Sequence, residues 1–330
     1  TLKLIPANGT RSGFSIGNPF FPWLTRHGFF KRMEDERYLK LLYRGITGRP
    51  LHLDPPELYT EKIQWFKLHD KNPIYPTLCD KLAVRDFVRE RIGEAYLITL
   101  YGDWDDLDQI DLSALPNQFV LKCTHDSGSA IICKDKAAFN FAAAKRALKK
   151  RLAKDYSVSG REWPYGAVPR RVIAEAFIGL EDGTRPDDYK FYCVGGKMFW
   201  VCVCTNRRGM SADYYLCDRA FRPSRTSMEQ IDRPDEFAPP VPSRFTEMIE
   251  LSERLAEGFL NVRVDLYNTP DGIRFGEMTL YDQSGFIPEY WEAFDRMLGE
   301  LVDLTWEPVT SAQQKEEILD ELRNAFIYRP

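Results

Sequence analysis

Two alternating apolar runs near the end of the chain, residues 262–267 and 273–280, flank the tripeptide Pro270-Asp271-Gly272. Alternation with a period of two is the mark of a half-buried strand, and two such runs joined by a Pro/Asp/Gly turn predict a β-hairpin. Side chains two residues apart share one face of a strand. Arg263 and Asp265 therefore lie together on the first run, and Glu277 and Thr279 on the second. Facing positions of an antiparallel pair are within interaction distance, so the four can converge. Two carboxylates and a hydroxyl beside a guanidinium make an oxygen-donor site suited to Mg²⁺, which takes few protein ligands and draws the rest from water and substrate phosphates. The same four residues also read as a plain cross-strand salt bridge.

The chain is 330 residues long and 44% hydrophobic, enough for about two domains with a sizeable core. Lys and Arg total 45 against 49 Asp and Glu, a formal net charge of −4, so no cationic surplus points to nucleic acid as a partner. The seven cysteines, Cys79, Cys123, Cys133, Cys193, Cys202, Cys204 and Cys217, show no zinc-knuckle spacing and read as reduced packing residues. The chain opens Thr1-Leu2-Lys3 with no apolar leader core, and no apolar stretch approaches the ~18 residues that span a bilayer. A cytoplasmic protein is the expectation. The first fifty residues interleave Phe14, Phe20, Phe21, Trp23, Phe29 and Phe30 with Arg11, Arg26, Lys31 and Arg32. Packing of this arm on the body is expected, and contact with a membrane surface or a lipid-linked glycan is left open.

Helical spacing is visible over residues 33–43, 55–70, 80–88 (ended by Gly93), 137–154 and 246–259. Strands are expected at 97–101, 117–123, 130–133, 172–178, 188–194 and 197–204, the last two joined at Gly195-Gly196. Residues 219–244 read as a surface excursion and 282–286 as a loop, followed by C-terminal helices. The run Phe119-Val120-Leu121-Lys122 ends in a lysine and enters Thr124-His125-Asp126-Ser127-Gly128-Ser129. That combination supplies a point positive charge and backbone N–H groups able to close on anionic oxygens, without the residue order of a P-loop. His27, His52, His69 and His125 show neither metal-ligand spacing nor a recognisable triad, so a triad hydrolase is unsupported.

In order and spacing, Asp80-Lys81, the Lys122 strand with its Ser/Gly loop, Ile173-Ala174-Glu175-Ala176-Phe177-Ile178-Gly179, Val262-Arg263-Val264-Asp265 and Gly276-Glu277-Met278-Thr279 resemble the ATP-grasp superfamily. The runs Glu61-Lys62-Ile63-Gln64-Trp65 and Arg161-Glu162-Trp163-Pro164-Tyr165, together with residues 117–125 and 263–267, are similar to the TupA-like branch, named after teichuronopeptide biosynthesis. The resemblance covers residues 55–288 and implies an α+β, ATP-grasp fold in which two α+β lobes sandwich ATP. It divides the chain into an N-terminal helical and aromatic extension (1–75), an N-lobe (76–178) and a C-lobe with C-terminal helices (179–330).

By the same resemblance Lys81 and Lys122 hold ATP phosphates, Thr124, His125, Ser127, Gly128 and Ser129 cover them, Glu175, Ala176, Phe177 and Ile178 take the adenine, and Asp188 takes the ribose. Asp265 and Glu277, with Thr279, bind Mg²⁺ (Mn²⁺ as an alternative), while Arg263 and Lys122 are the catalytic cations. Arg161, Arg207, Arg208, Ser284 and Gly285 are the candidates to hold substrate. Asp126 stands where the branch has glycine, and the expectation is that it turns to solvent or to Lys134 and leaves ATP binding little changed.

The implied chemistry is an ADP-forming carboxylate–amine ligase acting through an acyl phosphate, with a uronic acid of a cell-surface polysaccharide as carboxylate and an amino acid as amine. Asp265 and Glu277 are both expected to be replaceable by Ala without loss of the fold. A sugar or polyol kinase uses the same phosphate-handling residues and remains an alternative. A sugar-nucleotide glycosyltransferase would use an Asp-x-Asp site, for which Asp103-Trp104-Asp105 is the candidate, although it reads as a loop around a buried Trp. The oligomeric state is left open, a homodimer included.

Overall fold

A computed structural model describes residues 30–180, 184–208, 211–223, 239–287 and 292–305; the side chains of Arg207, Arg208 and Ser211 are outside that description. The aromatic arm up to Phe29, most of the 219–244 excursion and everything beyond Thr305 also lie outside the described residues.

The described chain builds two antiparallel sheets. The first holds β1 (Leu100–Trp104), β2 (Phe119–Cys123), β3 (Ile131–Cys133) and β4 (Val172–Ala176) in the order β1-β4-β2-β3. The second holds β5 (Asp188–Val194), β6 (Lys197–Arg208), β7 (Ser211–Cys217), β8 (Asn261–Thr269) and β9 (Gly272–Thr279) in the order β7-β6-β5-β8-β9. β2 and β3 form the expected hairpin, with Phe119 opposite Cys133 and Leu121 opposite Ile131. β7 escaped the sequence reading, and Asp103-Trp104 falls on strand β1 rather than in a loop.

Seven helices matter here: α1 (Asp35–Thr47), α2 (Tyr59–His69), α3 (Tyr75–Cys79), α4 (Val84–Arg91), α5 (Phe141–Leu152), α6 (Phe245–Ala256) and α7 (Glu292–Leu301). α5 begins at Asn140, whose side chain accepts from the N–H of Ala143, and packs Leu148, with Phe141 and Leu152, against the first sheet. α6 lays Phe245, Met248, Ile249, Leu251 and Leu255, at helical spacing, on the second sheet, where the Phe245 and Phe191 rings stack at 6.1 Å. Val264 and Leu266 on this face of β8 are fully buried, each contributing ~1.5–3 kcal/mol of transfer free energy.

α3 and α4 lie inside the range expected for the N-lobe, yet Leu78, Cys79, Val84, Phe87 and Val88 pack in the core of the second sheet. Sequence order does not assign a helix to a sheet; the direction of its apolar stripe does. All seven cysteines are buried free thiols, and no described helix is long and apolar enough to cross a membrane.

Candidate active site

The face of the second sheet opposite α6 carries a grid of charge. Across β5, β8 and β9 the register aligns Lys190, Asp265 and Glu277 in one row and Tyr192, Arg263 and Thr279 in the next. The four hairpin residues converge as alternation predicts. The register slips by one between Asp265 and Leu266, which leaves Gly276 as the extra residue of a bulge. A Cβ on Gly276 would stand 3.0 Å from the Asp265 carbonyl oxygen and 3.0 Å from the Tyr267 ring, a tight fit that favours glycine at the bulge.

Arg263, 9% exposed, donates through Nε to Asp265 Oδ1 at 2.6 Å and through Nη2 to Asp265 Oδ2 at 2.9 Å. Its Nη2 also donates to Glu277 Oε1 at 3.0 Å, and its Nη1 to Asp282 Oδ1. Lys190 donates to Asp188 Oδ2 at 2.7 Å and to Asp265 Oδ2 at 2.6 Å, while the Tyr192 hydroxyl donates to Asp282 Oδ2 at 2.7 Å. Burial by itself would raise the Asp265 pKa, but Arg263 and Lys190 more than offset it and hold the carboxyl below its ordinary value. Burial pushes Asp188 up. Burial opposes the charge on Lys190 and Arg263 as well, yet Asp265 wins in both and raises them.

The first sheet brings a second set of cations. Lys122, at the end of β2, donates to Glu175 Oε2 at 2.6 Å, and buried Arg85 from α4 donates to Glu175 Oε1 at 3.2 Å. Lys81 donates through Nζ to the Asp126 carbonyl oxygen. The loop after β2 is built into the sheet: Ser129 Oγ accepts from the Cys123 N–H at 2.9 Å, Thr124 Oγ1 donates to Pro169 O at 2.6 Å, and His125 Nε2 faces Lys154 O at 3.2 Å. Arg151, at the end of α5, donates to Gly128 O at 2.9 Å, to Ser127 O at 3.4 Å and to Asp126 Oδ2 at 3.5 Å.

The two sets face a common space. α3 packs on β9 and on the Trp163–Ala167 turn, and just past its end the Lys81 N–H donates to the Thr124 carbonyl oxygen at 3.3 Å. The loop after β2 and strand β9 are thus both in contact with the segment 75–81, beside the Tyr156–Tyr165 ring pair, whose centroids are 4.8 Å apart.

A metal must be matched to these donors. Among the described residues no three His, Cys, Asp or Glu side chains are assembled to hold one. Both protein contacts of Glu277, from Arg263 and from the Thr279 hydroxyl at 3.1 Å, fall on Oε1, and its side chain is 45% exposed. Two carboxylates with one open oxygen fit a divalent ion that arrives with phosphate oxygens, not a closed protein cage. Lys81, Lys122 and Arg151 stand around a loop in which His125 Nδ1 and Asp126 Oδ1 are buried without a hydrogen-bond partner; the cations suit phosphate oxygens and the Asp126 carboxylate does not.

The other expected residues are placed as follows, and Asp126 departs from its expected orientation. Glu175 accepts from Lys122 on one carboxylate oxygen and from Arg85 on the other; Ala176 donates its N–H to Thr99 O, and Phe177 and Ile178 follow half-buried. Asp188 accepts from Lys190, which also donates to Asp265. Asp126 turns neither to solvent nor to Lys134: it is 3% exposed and faces Arg151. Arg161 is committed elsewhere. It donates to Phe30 O at 3.0 Å and Met33 O at 3.1 Å, pairs with Asp35 at 3.0 Å and covers the Tyr38 ring, anchoring the entry to α1. Ser284 and Gly285 sit in the turn after β9, with Gly285 buried against Ile63 and Gln64.

Sequence reasoning did not single out Lys190, Tyr192, Asp282, Arg85 or Arg151. Only the alternation that places Lys190 two residues after Asp188 on a strand carried a signal for any of them.

The TupA-like ATPgrasp family profile matches residues 61–303. Among curated proteins none matches the chain by sequence. Similar solved structures include the ATP-grasp ligase PsnB with a minimal precursor (11% identity, 69% of this chain and 61% of that one, TM-score 0.35). Another is an N5-carboxyaminoimidazole ribonucleotide synthetase with ADP (13%, 67% and 50%, 0.38). A third is the D-alanine–D-alanine ligase of Bacillus anthracis with ATP (15%, 77% and 70%, 0.38). The chain spans about half to three-fifths of the length of the first two.

Proposed function

The chain belongs to the TupA-like ATP-grasp family, and on that premise we propose that it is an ADP-forming carboxylate–amine ligase. The observation that carries the reading is the pairing of Asp265 with Glu277 across the β8–β9 hairpin, with Arg263 donating to both. Asp265 and Glu277 are the residues that would hold Mg²⁺, which when bound supplies charge neutralisation to the terminal phosphates. Lys122 on β2, Arg151 on α5 and Lys81 between α3 and α4 would offer three cations to the triphosphate around the loop after β2.

In the proposed reaction an oxygen of the substrate carboxylate attacks the γ-phosphorus of ATP, the bond to the bridging oxygen breaks, and ADP leaves. The acyl phosphate so formed is attacked at its carbonyl carbon by an uncharged amine. The tetrahedral oxyanion collapses, inorganic phosphate departs with the C–O electron pair, and the nitrogen loses a proton to give the amide. Arg263 is held in place by three carboxylates and so can neutralise charge on the transferring phosphoryl group and the oxyanion without reorganising.

The carboxylate we propose is a uronic acid of a cell-surface polysaccharide and the amine an amino acid, in a cytoplasmic setting. Support for this substrate pair comes from family membership alone.

The test is ADP release from Mg-ATP across a panel of uronic acids and amino-acid carboxylates, with and without hydroxylamine. Carboxylate-dependent ADP together with a hydroxamate is expected. ADP formed only with alcohols would replace the ligase by a kinase, and UDP release from a nucleotide sugar without ATP turnover would replace it by a glycosyltransferase.

A further inference from the structure

Two sequence runs, 61–65 and 161–165, contribute no side chain to the phosphate or carboxylate sets, yet they meet at one point beneath the turn that follows β9. Lys67, one helical turn beyond Ile63 on α2, is 1% exposed. Its ammonium donates to Gln64 Oε1 at 2.9 Å, to Ser284 O at 2.6 Å and to Ser284 Oγ at 2.9 Å, and lies 4.5 Å from the centre of the Phe286 ring. Gln64 Nε2 donates to the same Ser284 carbonyl at 3.0 Å. From the other side Glu162, 8% exposed, brings Oε1 alongside Ser284 Oγ: a Cβ on Gly160 would stand 2.8 Å from the one and 2.3 Å from the other. One serine is thus held between a buried ammonium and a buried carboxyl.

The turn held in this way has an unusual backbone. Gln283 and Ser284 have φ of 44° and 59°, the left-handed region that side-chain-bearing residues rarely enter, and Gly285 continues at 64°. A Cβ on Gly285 would stand 2.6 Å from Ile63 Cγ2, so the α2 surface dictates its size as well. Residues in such conformations persist only where their surroundings over-determine them. The first residue of the turn is Asp282, 3% exposed, whose two oxygens take Arg263 Nη1 and the Tyr192 hydroxyl.

We propose that Lys67, Gln64 and Glu162 are positioning residues: they clamp the 282–285 turn in its left-handed form so that Asp282 fixes the guanidinium of Arg263. None of the three touches the proposed phosphate path; they act through Ser284 and Asp282. A buried Lys that served only to fill the core would be replaced without loss by a side chain of its own length, such as Met. A clamp would not.

The first arm of the test needs no turnover. Hydrogen exchange of the backbone over 281–287 is measured on the whole chain for wild type, Lys67→Met and Ser284→Ala. The expected result is exchange about tenfold faster in that segment in both variants, with β5 and β6 unchanged. Ser284→Ala removes only the bridging hydroxyl, and so decides the point if Lys67→Met does not fold. Unchanged exchange over 281–287 would overturn the clamp.

The second arm rests on the ligase reading. Lys67→Met is expected to lower kcat about a hundredfold with KM for ATP within threefold, and to add nothing further in an Asp282→Asn background. Losses that multiply in the double variant would show that Lys67 does not act through Asp282. Absence of ATP turnover in the wild type would remove the ligase reading while the exchange arm still decides the clamp.

Discussion

The ammonium of Lys190 lies 2.6 Å from Asp265 Oδ2, on the oxygen that also accepts from Arg263 Nη2 at 2.9 Å. Asp265, 2% exposed, therefore has two cations on its two oxygens, in the place where a divalent ion would compete for it. Lys190→Gln removes one competitor and leaves Asp188 and Asp265 facing each other across the gap. Mn²⁺ binding without nucleotide, followed by electron paramagnetic resonance, should tighten by about tenfold, while the melting temperature falls because breaking a buried pair costs ~3–5 kcal/mol. Equal Mn²⁺ affinity in the two proteins would show that Lys190 does not guard the carboxylate.

Asp265 and Glu277 face each other across the hairpin but should not behave alike on substitution. Asp265 neutralises two buried cations, so Asp265→Ala leaves Arg263 and Lys190 short of a partner and is expected to lower stability by ~3 kcal/mol or more. Glu277, with a side chain 45% exposed, makes its contacts at the rim, and Glu277→Ala should leave the melting curve within ~1 kcal/mol of wild type. Both should lose ATP turnover. The sequence-based expectation treats the two carboxylates alike; the ion network predicts instead that only Glu277→Ala keeps near-wild-type stability. Thermal melts beside ADP-release assays separate the cases, and an Asp265→Ala protein as stable as wild type would contradict the ion network.

The hairpin was legible in the sequence because its signal is local: period-two alternation and a three-residue turn set the register, and the register sets Arg263, Asp265, Glu277 and Thr279 on one face. Lys190 and Tyr192 join that face through pairing with a strand more than seventy positions away, which no local period encodes. Lys67 was hidden for another reason. On α2 the buried set includes Glu61, Gln64 and Lys67 as well as Ile63 and Phe66, so a polar stripe is inside and the usual equation of charge with solvent fails. The partners of Arg161 were hidden too: an arginine beside a family motif looks like a ligand contact, whereas here it meets backbone carbonyls and Asp35 of the segment entering α1.

Asp126 is buried in the loop expected to cover the triphosphate, with one oxygen facing Arg151 at 3.5 Å and the other unpartnered. A carboxylate so placed opposes a polyanion and occupies a guanidinium that could serve it. Asp126→Gly should lower KM for ATP by about fivefold, equivalent to roughly 1 kcal/mol of relieved repulsion at an effective dielectric near 20. This reverses the expectation drawn from sequence, which had Asp126 turned outward. Steady-state kinetics over a range of ATP concentrations decide it, and an unchanged KM would mean that the loop carries its nucleotide away from residue 126.

His125 gives the loop a dependence on pH. Burial lowers its pKa from the ordinary 6.5, an effect that the adjacent Asp126 carboxylate only partly offsets, and the ring is 1% exposed with Nε2 against Lys154 O. A base whose folded pKa is depressed binds its proton later in the folded chain than in the unfolded one as pH falls. Between 6.5 and the lowered folded value the unfolded state holds more protons, so stability rises with pH across that window and is lost as pH drops through it. Replacing His125 with Gln keeps a polar side chain without the titration. Urea unfolding of wild type and His125→Gln at intervals from pH 7.5 to about 5 should show the wild type losing stability relative to the variant below about 6.5. Parallel curves across that interval would place the imidazole proton equally in both states and remove the ring from the pH response of the loop.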